Sequence, residues 1–206
     1  MNRGLNIGFC GIDGSGKSTQ VRLLHQWLKA RSYDVILNEK TRNFVSEIST
    51  SIGRRHGFSL GFEYLGQDFY DLAMSFEVLR QNTQEILPYT SVGITVISSR
   101  TVFDYLARAK ARGCTDKTYE IIKEIILFAG TPDITIWIDT PPIIAYERIL
   151  SRGYDHSDKN FLENFRTAFL ELSAHYGWIR INGENDIDSI HHQIRQIVLK
   201  TEQNHC

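Results

Sequence analysis

Gly11-Ile12-Asp13-Gly14-Ser15-Gly16-Lys17-Ser18-Thr19 is the stretch on which the reading of this chain turns. It fits the pattern G-x-x-x-x-G-K-[ST]. Glycines at these positions let successive backbone N–H groups turn inward and form a nest for an anion. A helix that starts at Lys17 adds its positive N-terminal end to the same nest. In such a loop the lysine reaches the β- and γ-phosphates of a nucleotide, and the following hydroxyl faces Mg²⁺. The context agrees: Leu5 to Cys10 is a short apolar run that reads as a buried strand. Lys17 to Arg31 carries an apolar stripe at Val21, Leu23, Leu24, Trp27 and Leu28, at helical spacing. The stretch therefore predicts Gly11, Asp13, Gly14, Ser15, Gly16, Lys17, Ser18 and Thr19 as an ATP cradle, with Ser18 as the Mg²⁺ ligand.

Outward from this loop, strands and helices alternate. Tyr33–Leu37, Gly93–Ile97, Asp133–Ile138 and Trp178–Ile181 read as further strands. Helical patterns occupy Phe44–Ile52, Asp68–Leu87 (ended by Pro88), about 102–112 and 116–129, a helix started by Pro141-Pro142 and running to about Leu150, Lys159–His175 and Asp186–Lys200. Alternation of this kind predicts parallel strands joined by right-handed crossovers. The expected fold is α/β, a P-loop NTPase-type three-layer α/β/α sandwich with a five-stranded parallel sheet. One domain over residues 1–206 suits the length. Ligands in such sheets sit at the carboxyl ends of the strands.

Composition narrows the partners. Lys and Arg number 23 against 24 Asp and Glu, a formal net charge of -1. That balance speaks against a nucleic-acid polymer or an anionic membrane, which call for a broad basic face. No run approaches a membrane span, and the first residues lack the apolar stretch of a signal peptide. Cys10, Cys114 and Cys206 show neither metal-ligand nor disulfide spacing, which fits a reducing, cytoplasmic setting. Within the near-neutral total, cations recur at strand ends: Lys40 and Arg42 after the second strand, Arg100 after the third, and Arg148 with Arg152 one turn apart after the fourth. A phosphoryl donor and a phosphorylated acceptor bring several negative charges into one cleft, and such cations offset them.

The chain resembles the thymidylate kinase family of nucleoside monophosphate kinases. The resemblance runs from Gly8 to about Ile197. It is carried by GIDGSGKST at 11–19, Thr41-Arg42, ISSRTVFDYLA at 97–107, PDITIWIDTPPIIAYERILSRG at 132–153 and FRTAFLELSAHYG at 165–177. It implies transfer of the γ-phosphoryl of MgATP to dTMP. It further implies that Lys17, Arg100 and Arg152 do the catalytic work, Arg152 arriving on a lid at about 151–160. Asp13, Arg42 and Arg100 would hold the acceptor. Phe69 or Tyr70, with Phe76, would stack on its base, and Arg80 or Gln81 would read the base edge; core packing is the alternative for the aromatics. Arg148 and Asn182-Gly183 would border the adenine of ATP. A homodimer is also implied.

Departures from the family pattern fall in the acceptor and metal regions. Ser99-Arg100 stands where Asp-Arg is usual, Asn43-Phe44 follows Thr41-Arg42 where Glu-Pro is usual, and the lid has Asp155-His156. Two other readings therefore stay open. A deoxyribonucleoside or nucleotide-analogue kinase needs a base for a sugar hydroxyl, and Glu39 after the second strand stands where one is expected. A non-catalytic P-loop nucleotide-binding protein is the other. A GTPase is not supported, since no N-K-x-D signature occurs. Asp139 resembles a Walker-B end, but its place before Pro141-Pro142 predicts a helix cap.

Overall fold

The protein is described by a computed structural model that covers residues 3–39, 44–153 and 157–205. Five strands, β1 (Asn6–Cys10), β2 (Val35–Asn38), β3 (Thr95–Ser98), β4 (Ile134–Asp139) and β5 (Ile179–Asn182), form one sheet in the order β2-β3-β1-β4-β5. Every neighbouring pair is parallel, with Gly8 level with Ser98 on β3 and with Thr135 on β4. The five-stranded parallel sheet and its flanking helices agree with the expected α/β sandwich. β1 lies in the middle, so the loop after it opens between the ends of β3 and β4. The chain leaves β1 for one half of the sheet and returns to build the other, and a ligand crevice forms at such a switch of direction.

Side chains alternate across the sheet with period two and seed a core on each face. Ile7 and Phe9 of β1 and Ile134, Ile136 and Ile138 of β4 meet α1 (Lys17–Lys29) and α10 (Ile187–His205) through Val21, Leu24, Leu28, Ile190, Ile194 and Val198. Cys10 and Trp137 point the other way. There they join α6 (Val102–Ala111), α7 (Asp116–Ala129), α8 (Pro142–Arg152) and α9 (Lys159–Tyr176) through Phe103, Leu106, Ile122, Ile149, Phe165 and Phe169. Gly8 is required by this packing, because a Cβ there would stand 2.3 Å from Thr101 Cγ2.

Of the remaining helices, α2 (Phe44–Arg55), α3 (Gly61–Leu65) and α4 (Gln67–Gln81) build the far wall of the crevice, while α5 (Leu87–Ser91) lies at the other end of the sheet, where Thr90 O accepts from Gly4 N at 2.8 Å. Pro88 does not end the long helix, contrary to expectation. A π-helical turn over Asn82–Ile86 links α4 to α5. Pro88 then falls in the first turn of α5, where a missing N–H costs little. The π turn also aims Asn82, whose Nδ2 donates to the carbonyls of Ala129 at 3.0 Å and Gly130 at 2.7 Å, closing the C-terminus of α7. α3 has no counterpart in the sequence reading. The expected lid is shorter than 151–160: α8 runs to Arg152, Asp158 caps α9 at Phe161 N, and Lys159 is already helical.

Candidate active site

The phosphate loop has the predicted form. Gly14 and Gly16 adopt φ of 81° and 97°, and Gly16 is the N-cap of α1. A Cβ on Gly14 would stand 2.3 Å from the carbonyl oxygen of Ala145 on α8. Lys17 folds back over the loop, donating to the carbonyls of Gly11 at 2.5 Å and Ile12 at 2.8 Å and to Ser15 Oγ at 3.4 Å. Burial, and after it the Arg100 guanidinium, pull its pKa down to about 8. Ser18 and Thr19 are exposed at the helix start. The Ser18 hydroxyl has no hydrogen-bond partner among the described residues. No cluster of three His, Cys, Asp or Glu is present among the described residues to hold a metal alone.

Arg148 spans the donor side: its guanidinium donates to the Gly14 carbonyl at 3.5 Å and the Gly183 carbonyl at 3.2 Å. It thus ties the phosphate loop to the turn after β5, where adenine was expected. Asp139 does not cap α8. Arg166 donates to its carboxylate at 2.7 Å and 3.0 Å, Arg180 donates to Oδ2, and the N-cap is Pro141 with no side-chain cap bond. Burial pushes the Asp139 carboxyl up, but the Arg166 and Arg180 bonds outweigh it and hold it below its ordinary range. Both oxygens are engaged, which leaves the Walker-B-like reading of Asp139 without a free ligand atom.

Beside the loop lies a cavity of about 310 Å³, walled by Thr50 of α2, Gly61 and Phe62 of α3, Tyr70, Asp71 and Met74 of α4, Asp104, Tyr105 and Arg108 of α6, and Arg100 and Arg112 just before and after that helix. Arg100 donates to Asp13 Oδ1 at 2.6 Å, Arg108 stands 3.6 Å from Oδ2, and Ser157 donates to Oδ2 at 3.1 Å. Asp13 is buried, which pushes its carboxyl up. Arg100, then Arg108 and Lys17, more than offset this and hold it far below the usual carboxylate range. Asp104, in the first turn of α6, accepts from Thr101 N at 2.7 Å and so closes the helix start, while burial raises its pKa. Arg100 Nη1, Asp104 Oδ1 and Arg112 Nη1 are buried with no hydrogen-bond partner among the described residues. Unpaired buried polar atoms are costly, and three around one cavity point to a polar ligand that completes them.

Other predicted residues are placed differently. Phe69 is 61% exposed and Phe76 55%, and neither reaches the cavity; their neighbour Tyr70 does. Arg80 is tied to Glu77 and Glu85 at 2.9 Å each, outside the cavity, and Gln81 donates to Glu77 at 3.2 Å. Arg152 is exposed at the end of α8. Arg42 lies outside the described residues, as does 154–156 of the expected lid. Glu39 pairs with Arg22 at 2.7 Å and is not part of the cavity wall, so the base expected of a nucleoside kinase is engaged elsewhere. The sequence reading missed Asp71, Asp104, Arg108 and Arg112. A signal was there: 104, 108 and 112 repeat every four residues and share one helical face.

A phosphate loop with a polar, arginine-walled cavity beside it defines a P-loop kinase that acts on a small phosphorylated acceptor. The family model described as Thymidylate kinase matches residues 9–194. The chain belongs to that family. It is 30% identical to a thymidylate kinase of Thermosipho africanus, over 94% of this chain and 97% of that protein. It is 31% identical to a thymidylate kinase of Caldanaerobacter subterraneus subsp. tengcongensis, over 95% of each. A probable thymidylate kinase of Thermococcus kodakarensis is 29% identical over 91% of this chain and 94% of its own.

Proposed function

We propose that the protein transfers the γ-phosphoryl group of MgATP to dTMP, giving ADP and dTDP. The observation that carries this reading is the Arg100–Asp13 pair at 2.6 Å, which joins the acceptor cavity to the donor loop. An oxygen of the acceptor phosphate attacks the γ-phosphorus in line, and the bond to the β–γ bridging oxygen breaks. The acceptor phosphate is already an anion near neutral pH, so no base is needed. Catalysis then rests on positioning and charge neutralisation. Lys17 leaves its loop carbonyls for the β- and γ-phosphates. Arg100, backed by Arg108, clamps the acceptor phosphate. Tyr70 offers its ring to the base, and Arg148 borders the adenine. When bound, Mg²⁺ neutralises charge on the β- and γ-oxygens, and Ser18 is the residue that would hold it. Arg152 and Arg42 complete the charge balance as the lid closes.

The same reading extends to assembly and compartment. α2 exposes Phe44, Ile48 and Ile52 at four-residue spacing, and α4 exposes Phe69 and Phe76. Stripes of this kind support a homodimer. The free thiols Cys10 and Cys114 suit a reducing cytoplasm. No described helix is long and apolar enough to cross a membrane. The deciding experiment measures ADP release with dTMP, dUMP, UMP, CMP, AMP, GMP and thymidine as acceptors. Turnover led by dTMP is expected; silence with every monophosphate, or faster turnover of thymidine, would overturn the reading.

A further inference from the structure

The cavity has two ends, and they differ in chemistry. Arg100 precedes α6 and Arg112 follows it, so the ten residues between Val102 and Ala111 separate them by about 15 Å. Arg100 faces the phosphate loop through Asp13. At the other end, Arg112 stands with its guanidinium over the rings of Phe62, 4.9 Å away, and Tyr70, 5.7 Å away. The two rings, set edge to face at 69°, pack around the guanidinium and hold it in place beside the cavity. Nη1 is buried, has no hydrogen-bond partner among the described residues, and lies 3.7 Å from Asp71 Oδ1. That is too far for a hydrogen bond between the two. Asp71 is itself 6% exposed, and its second oxygen accepts from Gln67 Nε2 at 2.5 Å. The two form a loose ion pair, which places a donor without a hydrogen-bond partner and a carboxylate oxygen side by side at the cavity wall.

We infer that Arg112 and Asp71 read the edge of the acceptor base, selecting a carbonyl next to a ring N–H. The inference rests on the nucleoside monophosphate kinase reading above and names the edge that its acceptor must show. Arg112 donates to the carbonyl oxygen, and Asp71 Oδ1 accepts from the adjacent N–H. Thymine and uracil present this pair, and guanine presents the same lactam. Cytosine and adenine present an amino group next to an unprotonated ring nitrogen. Against those, the Arg112 donor meets an amino donor and the Asp71 carboxylate meets a lone pair. Neither group then gains a hydrogen bond from the base in return for the water it loses, and sites of this kind reject the wrong partner strongly. Burial raises the Asp71 pKa, and Gln67 and Arg112 oppose that rise.

Equilibrium titration without ATP tests the inference apart from turnover. The wild-type chain is expected to bind dTMP well and dCMP and dAMP far more weakly. Arg112→Met keeps the stacked aliphatic stem and removes the donor. It is expected to weaken dTMP about 10–100-fold, to leave dCMP unchanged, and to be partly rescued by Arg112→Lys. Asp71→Asn offers an amide N–H to a ring nitrogen and is expected to shift the preference toward dCMP. Whatever binding dUMP and dGMP show should fall with Arg112→Met by the same factor as dTMP. Equal losses for dTMP and dCMP in both variants, with melting temperatures kept, would overturn the inference. So would a wild type that binds dTMP and dCMP alike. A chain that binds dTMP selectively yet releases no ADP would instead sink the kinase reading and leave the edge reader standing.

Discussion

Asp13 in the phosphate loop and Arg100 at the end of β3 are joined at 2.6 Å, across the boundary between the donor cradle and the acceptor cavity. The carboxylate is nearly buried and the guanidinium partly open, so Asp13 acts as the fixed point and Arg100 as the arm it holds. The pair also draws in Arg108 at 3.6 Å and Ser157 at 3.1 Å. Asp13→Asn should therefore disturb acceptor binding more than ATP binding. We expect the KM for dTMP to rise about tenfold and unfolding free energy to fall by about 2 kcal/mol, the scale of a charged hydrogen bond. Steady-state kinetics and urea unfolding check both numbers. Because the Asp13 carboxyl is held far below its ordinary range, its contribution is complete above pH 4 and is lost only as pH falls below that.

Lys17 gives a prediction with a proton in it. In the free protein, burial and the neighbouring Arg100 hold its pKa at about 8, and its ammonium rests on the loop's own carbonyls. Phosphates replacing those carbonyls favour the charged form and push the pKa up. At pH 8.5 much of the free protein carries a neutral Lys17, so ATP binding should take up a fraction of a proton. At pH 6.5 it should take up almost none. Calorimetric titration in two buffers of different ionisation enthalpy measures this uptake. Lys17→Met should abolish the uptake and nearly all turnover while leaving the melting temperature close to that of the wild type.

Gly14 is a backbone requirement of the site. Its φ is 81°, and an added Cβ would meet the Ala145 carbonyl at 2.3 Å. The left-handed conformation alone costs a residue with a Cβ about 1–2 kcal/mol, before any clash. Gly14→Ala should thus lower the melting temperature by about 5 °C in a chain of this size. It should also weaken ATP through a displaced loop. Gly57 has φ of 86° with open space around it, so Gly57→Ala should show the backbone cost alone. A scan in which the two variants melt together would argue against the close approach of α8.

The sheet was legible because apolar runs such as IGFC and ITIWI are long enough for period and context to agree, and the phosphate loop because its glycines have one purpose. The expected arms of the acceptor site were harder. Phe69 and Tyr70 are adjacent in sequence and about 100° apart around α4, so only tertiary packing decides which one faces the cavity. Arg80 carried charge in a suitable place, yet Glu77 and Glu85 take it up locally. Arg108 and Arg112 were passed over because a helical arginine ordinarily faces water. The net charge of -1 concealed them as well: three arginines of the cavity wall, Arg100, Arg108 and Arg112, are answered by Asp13, Asp71 and Asp104 beside them. α3 is only five residues long, below the length at which a helical period can be read.

Asp139 supplies a prediction that separates stability from catalysis. Its carboxylate gathers Arg166 from α9 and Arg180 from β5, and its backbone oxygen accepts from Gly183 N at 2.8 Å. It lies outside the acceptor cavity wall. Asp139→Ala leaves two guanidinium groups facing each other without their carboxylate. The full cost of breaking a buried pair is about 3–5 kcal/mol, and the exposure of Arg180 reduces it here to about 2 kcal/mol. The sign with pH follows from a carboxyl held below its ordinary value. The contribution is complete above pH 4 and declines as pH falls toward the pKa of the folded protein. Urea unfolding at pH 7 should therefore separate wild type from Asp139→Ala by about 2 kcal/mol, a gap that narrows at pH 3. The KM for dTMP should be the same in both. A gap unchanged with pH would show that the carboxylate is not what holds α9 to β5.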